Sequence, residues 1–411
     1  MDTKRIIKTA LQKLQIEKLQ KHQQAPINSI LSGKDTFVIS PTGSGKSAIY
    51  QIPAILHPDK PTLVIEPTIS LMHDQVQKLK SLGIAAEYLD STQIKKERQS
   101  ILDQFQARKV NILYLTPERL VSESFLYALE EICLFMVVID EAHCVMDWGY
   151  TFRDAYLHIG DFVNSLDHRP VIAAFTATAS PKDAENICTA LHMKHPAIFE
   201  NNLYRKNLTY LKKYADDRQK KQQLLMKYLR KYHRYSSVIY CNTRRAVDAV
   251  CEFLQEKYPG EVVKCHADMS PKKRAEHELK FLTGEKSIMV ATTAFGMGVD
   301  LGSIDLVVHF NMPLSLTDYM QQTGRAGRDG QKAHCILLYS DEDYYTNQVI
   351  LSGILSQKAE KRALKQLDLM KEFCDDTEHC MAQLLLENFG QHRADTCNHC
   401  TTCQKKRRDT K

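Results

Sequence analysis

Two adjacent carboxylates, Asp140 and Glu141, close the apolar run Phe135-Met136-Val137-Val138-Ile139, and Ala142-His143 follow at once. A short β-branched run of this kind reads as a buried strand, so the acids are delivered to a strand end. One acid there is suited to hold Mg²⁺, and its neighbour to orient or deprotonate an attacking water. His143 has the commoner reading of a satisfied core histidine, but its place after two acids favours a relay role. Upstream, Ser40-Pro41-Thr42-Gly43-Ser44-Gly45-Lys46-Ser47 follows a second apolar run and opens a helical pattern. Backbone N–H groups of such a turn wrap phosphates, and glycine lets the backbone come close. Thr42, Gly43, Ser44, Gly45, Lys46 and Ser47 are therefore expected to bind ATP, with Lys46 on the β- and γ-phosphates and Ser47 and Asp140 on Mg²⁺. Position 40 is Ser where the strict pattern has Gly.

Three further groups carry chemistry. Trp148, Phe152 and Arg153 lie just past the acids; aromatic rings stack on bases and arginine grips phosphate. Trp148 is the single tryptophan of the chain and sits among charged residues and glycine, poor company for a core position. Arg325 and Arg328, three apart across small residues, suit a cation placed on the charge that develops in phosphoryl transfer. Their plain alternative is a surface helix start. Cys397, Cys400 and Cys403 make a tight loop of thiols, and Cys380 lies upstream in a helical pattern. Four thiolates close a structural Zn²⁺ site with no open position. An iron–sulfur cluster is the rival, but its usual fourth Cys followed by Pro is replaced here by Gln404-Lys405. His399, inside the loop, is expected to face solvent.

The chain has 411 residues, is 43% hydrophobic and 25% charged, and carries a net charge of +6. Such a composition is that of a globular protein of two or three domains, and the mild basic excess permits nucleic-acid binding without establishing it. No apolar run reaches membrane-span length, and the Lys-rich N-terminus has Ile7, Leu11 and Leu14 at helical spacing rather than a signal-peptide core. We read the chain as cytoplasmic, nucleoid-associated if bacterial, with no membrane partner. The 12 cysteines are too scattered for a disulfide scaffold, and those in strand patterns, such as Cys241 and Cys335, read as core residues.

Positioning these groups requires alternating strands and helices. Strands are expected at Thr36 to Ile39, Thr62 to Glu66, Asn111 to Leu115, Phe135 to Ile139 and Val171 to Phe175, with a helix over Leu71 to Leu82 between two of them. A polar zone from Asn201 to Lys221 interrupts the alternation. It resumes at Val238 to Tyr240, Val262-Val263, Ile288 to Val290, Leu306 to Val308 and Cys335 to Tyr339. Alternation of this kind predicts an α/β fold with two parallel sheets in series, covered on both faces. Beyond Asp341 the pattern is helical, with Leu364, Leu367 and Met370 on one stripe. The run Lys405-Lys406-Arg407-Arg408 reads either as a solubilising tail or as a contact to duplex phosphates.

The ordered set of motifs resembles a superfamily 2 helicase, most closely the RecQ family of DNA helicases. Pro41 to Ser47, Pro67 to Met72 with Asp74-Gln75, Thr116 to Leu120, Asp140 to His143, Thr176-Ala177-Thr178, Tyr240 to Arg244, Ala291-Thr292 with Phe295 to Asp300, and Gln321 to Arg328 match successive family motifs. Trp148 to Arg153 resembles the family's aromatic-rich loop. The resemblance implies two tandem RecA-like P-loop domains, over 1–203 and 204–341, and a helical zinc-binding module with a basic tail over 342–411. It also implies a short form lacking the winged-helix and further helical domains. Gln23 would read adenine, with Gly298, Asp300 and Gln321 also at the ATP, which would lie at the seam of the two domains. Arg325 and Arg328 would act with Lys46, Asp140, Glu141 and His143. Thr68, Ser70, Arg119, Arg153, Thr292 and Thr293 would hold the DNA backbone, with Trp148 and Phe152 on bases. Leu19, Gln20, Asp147 and Tyr150 depart from the family pattern. The implied activity is ATP-driven 3′ to 5′ movement on single-stranded and forked DNA in repair or recombination, by a monomer, with single-strand-binding or repair proteins as companions. A DNA-stimulated ATPase that anneals or remodels DNA with little unwinding, and a DEAH-type RNA helicase, are the alternatives.

Overall fold

The structure is a computed structural model that describes residues 3–129, 132–146, 154–233, 236–293, 295–296, 304–352 and 357–409. Its contacts divide into two units, Met1–Asn202 and Leu203–Lys411. In the first unit α1 (Thr3–Lys13) and α2 (Lys21–Leu31) precede β1 (Thr36–Ile39), α3 (Lys46–Leu56), β2 (Thr62–Ile65), α4 (Ile69–Ser81), β3 (Ala86–Leu89), α5 (Lys95–Gln106), β4 (Ile112–Leu115), α6 (Glu123–Leu129) and β5 (Met136–Ile139). Then come α7 (Ile159–Ser165), β6 (Val171–Thr176), α8 (Pro181–Ala190) and β7 (Ala197–Glu200). The strands form one sheet in the order β3-β4-β2-β5-β6-β1-β7, and every pairing is parallel.

The register aligns the strand ends that matter. Ile39 pairs with Thr176, and Ile65 pairs with both Ile139 and Leu115. The residues that follow these strands therefore emerge at one edge of the sheet, the usual place for ligand binding in an open α/β sheet. Beneath them Val38, Val64, Tyr114 and Val138 pack on Ile49, Tyr50 and Ile52 of α3 in a core that also takes Ile7 of α1 and Leu14 just beyond it. At the opposite strand ends, buried Asp35 accepts from both terminal nitrogens of Arg169, at 3.1 and 2.5 Å, and from the Ile172 and Lys194 amides at 2.9 and 2.6 Å.

The second unit contains β8 (Leu208–Tyr214), α9 (Arg218–Tyr232), β9 (Ser237–Tyr240), α10 (Arg244–Lys257), β10 (Val262–Cys265), α11 (Pro271–Leu282), β11 (Ile288–Ala291), β12 (Leu306–His309), α12 (Leu316–Thr323) and β13 (Ala333–Tyr339). Helices α13 (Asp341–Leu351), α14 (Gln357–Asp375), α15 (Met381–Asn388) and α16 (Thr401–Asp409) complete it. Its sheet runs β10-β11-β9-β12-β13-β8, again all parallel. The polar zone expected to interrupt the alternation instead holds β8 and the start of α9. Alternation of Leu208 and Tyr210 with polar residues is what an edge strand covered on one side shows, and polarity hid it. On the stripe expected in the tail, Leu367 and Met370 are fully buried on α14 and Leu364 half-buried. The basic run Lys405 to Arg408 lies on α16 with all four side chains exposed. Among the described residues no helix is long and apolar enough to cross a membrane.

Candidate nucleotide site and metal centre

The turn after β1 is built to receive an anion. Gly43 and Gly45 both lie in the left-handed region, at φ 77° and 76°, and Gly45 caps α3. The backbone conformation at Gly45 favours glycine, and a Cβ there would lie 2.6 Å from Gln23 Nε2 and push that amide aside. Ser40, which replaces the usual glycine, is fully buried; its hydroxyl donates to the Ser44 hydroxyl at 2.6 Å and closes the turn from within. Lys46 is buried, and its Nζ donates to Ser40 O at 3.2 Å. Thr42, Ser44 and Ser47 are half-buried and Gly43 and Gly45 exposed. Two side chains of α2 support the turn from outside: His22 Nε2 lies 3.0 Å from Ser44 O, and Gln23 Nε2 donates to Gly45 O at 3.0 Å. Gln23 Oε1 accepts the Gln20 amide at 2.9 Å, so in this state both ends of the Gln23 amide bind backbone.

Asp140 follows β5 on the same edge. It is buried, its Oδ1 accepts the Glu141 amide at 2.9 Å, and its carboxyl is pushed up to about 6. Loss of water is the main cause and the Glu141 charge adds to it, while Lys46 pulls the other way. Glu141 sits at φ 48°, an uncommon conformation for a residue with a Cβ, and its carboxylate lies 3.3 Å from His143 Nδ1. The same nitrogen lies 3.2 Å from the Thr176 hydroxyl, which donates to Thr178 O at 3.1 Å. Burial opposes the imidazolium, but Cys144 and Glu141 outweigh it and raise His143 well above its ordinary range. His143 thus lies between the Glu141 carboxylate and the strand end at Thr176. Sequence reasoning missed Glu66. It is fully buried at the end of β2, and its charge acts with that of Asp140 on the Tyr50 and Tyr114 hydroxyls. Its signal was a charged residue closing an otherwise apolar strand.

The expected strand-binding residues of this unit sit at the same edge. The Thr68 hydroxyl is buried and makes no hydrogen bond among the described residues, although Thr68 caps α4. Ser70 is exposed. Arg119 is half-buried and donates to Asp90 O at 2.9 Å, which fixes its orientation. Trp148, Phe152, Arg153, Gly298 and Asp300 lie outside the described residues.

In the second unit Arg325 is buried and donates to Gly296 O, which ties its loop to the one that follows β11. Arg328 and Gln321 are half-buried. Burial pushes the Tyr240 phenol up, and the charges of Arg325 and Arg328 oppose that shift. Thr292 is half-buried and Thr293 exposed. His309, fully buried, lies 2.8 Å from Gln322 Oε1, and burial pulls its imidazole down to about 3, so it is neutral.

The sulfurs of Cys380, Cys397, Cys400 and Cys403 all lie within 4.8 Å of one another. Hydrogen bonds from Cys397 and Cys400 hold the Cys380 thiol far below its ordinary range, while Cys380 in turn pushes Cys397 and Cys400 up. Four thiolates brought this close repel one another and need a cation to hold them together. Four sulfurs so close, with no fifth donor in the group among the described residues, fit tetrahedral Zn²⁺. His399 does not face solvent as expected: it is half-buried, with Nε2 3.0 Å from Leu208 O, and serves the fold rather than the metal.

Sequence comparison agrees with this geometry. Residues 20–187 match the DEAD/DEAH box helicase profile, 220–330 the helicase conserved C-terminal domain, and 341–404 the RecQ zinc-binding profile. The chain belongs to the RecQ family. It is 35% identical over 388 residues to the ATP-dependent DNA helicase RecQ of Bacillus subtilis, covering 94% of this chain and 65% of that one. For the Pasteurella multocida RecQ helicase the identity is 34%, over 94% of this chain and 60% of the relative. This RecQ-family chain therefore spans about three-fifths of the length of these relatives. Among solved structures, Dbp5 of S. cerevisiae bound to RNA and ADP BeF3 superimposes with a TM-score of 0.68 at 17% identity, over 88% of this chain and 97% of that one. The helicase MrfA bound to DNA gives a TM-score of 0.67 at 20% identity, over 93% and 54%. Both share the fold of two RecA-like units.

Proposed function

We propose that this chain is an ATP-driven motor that moves 3′ to 5′ on single-stranded DNA and opens forked duplexes during repair or recombination. It would act in the cytoplasm, on the nucleoid in a bacterium. The observation that carries the reading is the convergence, on one sheet edge, of a phosphate-wrapping turn, Lys46 and the Asp140–Glu141 pair. Membership of a family whose relatives are DNA helicases supports DNA as the substrate.

In this reading Thr42 to Ser47 hold the ATP phosphates, and Gln23, whose amide already grips the turn, exchanges a backbone partner for the adenine edge. Ser47 and Asp140 would hold Mg²⁺, which supplies charge neutralisation on the phosphates. Glu141 orients or deprotonates the attacking water. His143 carries the state of the acids to Thr176. Arg328, with Arg325, stabilises charge on the γ-phosphoryl oxygens, and Gln321, Gly298 and Asp300 complete the nucleotide contacts. Thr68, Ser70, Arg119, Thr292, Thr293 and Arg153 hold DNA phosphates, and Trp148 and Phe152 stack on bases. The zinc cluster is structural. The domains assigned are 1–203, 204–341 and 342–411, and the working unit is a monomer.

The test is ATP turnover with no nucleic acid, with single-stranded DNA and with RNA, followed by strand separation on duplexes carrying a 3′ or a 5′ tail. Stimulation by DNA and unwinding of the 3′-tailed duplex are expected. Equal stimulation by RNA would turn the reading to an RNA helicase. DNA stimulation without strand separation would leave a remodelling ATPase.

A further inference from the structure

The segment entering the second unit makes contacts that no motif assigns. Arg205 Nη1 donates to Gly324 O at 2.8 Å, and its Nη2 donates to Gly327 O. Asn207 Nδ2 adds bonds to Gly327 O at 2.9 Å and to Gln331 O at 2.8 Å. Those first two carbonyls belong to the peptide bonds whose nitrogens are those of Arg325 and Arg328. One planar guanidinium therefore fixes both peptide planes from which the two arginines depart. The rest of the loop is fixed as well. Gly327 N–H donates to Ile304 O at 3.0 Å, and Ala326 bridges to Ile304. Gly327 lies at φ +54°, and a Cβ on it would come 2.5 Å from Asn207 Nδ2, so the close approach of Asn207 needs glycine there.

We propose that Arg205, supported by Asn207, is the positioning residue of the arginine pair, setting the spacing and direction of Arg325 and Arg328 through their preceding carbonyls. The inference rests on the role given above to that pair. A cation is favoured at this point because Gly324 caps the C-terminus of α12, where unpaired carbonyls gather negative charge. Lysine cannot replace it: an ammonium is a point donor, whereas the guanidinium fork spans two acceptors at fixed separation. The residue lies outside every motif of the sequence, which is why spacing alone did not reveal it.

The experiment compares the full chain with R205A, R205K and R328A by DNA-stimulated ATP turnover, by equilibrium binding of a fluorescent ATP analogue and by thermal melting. R205A is expected to lower kcat by about tenfold or more, since small misplacements of a charge-stabilising group cost rates of that order. Its KM and analogue binding should stay within about twofold, because the phosphate-binding turn belongs to the other unit. R205K should fall between R205A and the parent. A wild-type kcat in R205A, alongside a loss in R328A, overturns the proposal. So does a wild-type kcat in R205K, which would make charge alone sufficient. Parallel loss of kcat, nucleotide binding and melting temperature would reduce Arg205 to a structural role. Should R205A not fold, R205K decides alone, its kcat reduced at unchanged melting or not. A wild-type rate in R328A removes the arginine reading itself, and this inference with it.

Discussion

At the scale of single residues the acids and the lysine divide the work by environment. Lys46 is buried and, among the described residues, donates only to Ser40 O, a bond readily exchanged for phosphate oxygens. Replacing it by alanine should lower ATP turnover by about 10²-fold or more, while DNA binding measured by fluorescence anisotropy stays near that of the parent. Glu141→Gln keeps the shape but removes the base, so a filter-binding assay should find ATP retained unhydrolysed. Rapid product release from that variant would show that another group serves the water. His309 makes a different prediction. Its folded-state pKa lies near 3, below the ordinary 6.5, because burial disfavours the charged ring. The unfolded chain therefore takes up a proton below 6.5 that the folded one refuses. The stability from this group is complete above 6.5 and is lost as pH falls toward 3, by about 1 kcal/mol between pH 7.5 and 5.5. Denaturant unfolding of the second unit at those two pH values should show a loss smaller by about 1 kcal/mol in His309→Phe, which has no such proton to bind. Equal losses in both proteins would contradict a neutral buried His309.

At the scale of elements, the turn between β1 and α3 depends on backbone shape more than on side chains. Gly45 stands at φ 76° with Gln23 pressed against it. Gly45→Ala places a Cβ in the left-handed region at a cost of about 1–2 kcal/mol and must push Gln23 away. Binding of an ATP analogue should weaken at least tenfold while the far-ultraviolet circular dichroism is unchanged; undiminished binding would mean that Gln23 and the turn are not coupled. Much of this element was legible in the sequence. The run Thr36 to Ile39 and the glycines after it announce strand, turn and helix, because a fully buried parallel strand must be continuously apolar. Strands β3, β7 and β8 were not legible. Glu87, Glu200 and the lysines of β8 break the apolar run, since the outer strands of a sheet have one free edge and a thinner cover. Arg205 and Glu66 escaped for a related reason. Their partners lie more than 100 residues away for Arg205, and across neighbouring strands for Glu66, and no local spacing reports such contacts. The thiol cluster was legible because three of its members share one loop, whereas the turn of His399 inward onto Leu208 depends on where β8 ends up.

At the scale of the whole molecule, each unit has its own sheet and core, and each has a polar clamp. In the first unit Asp35 gathers Arg169 and two backbone amides across three strand starts. In the second, the free edge of β8 is closed by the thiol loop: His399 meets Leu208 O, the Thr401 hydroxyl accepts the Lys212 amide at 2.8 Å, and Lys212 Nζ reaches the Phe373 carbonyl at 2.5 Å and that of Asp376. Units with separate cores unfold as separate cooperative blocks, so calorimetry should resolve two transitions rather than one. The clamps assign them. Asp35→Ala strands a half-buried guanidinium and two amides, a loss of about 3–5 kcal/mol, and should lower one transition only. A zinc chelator should lower the other, because freeing Cys397, Cys400 and Cys403 releases His399 and Thr401 from β8 and leaves an uncovered strand edge. Both perturbations moving a single shared transition would show that the two units fold as one block, and the clamps could then no longer be assigned separately.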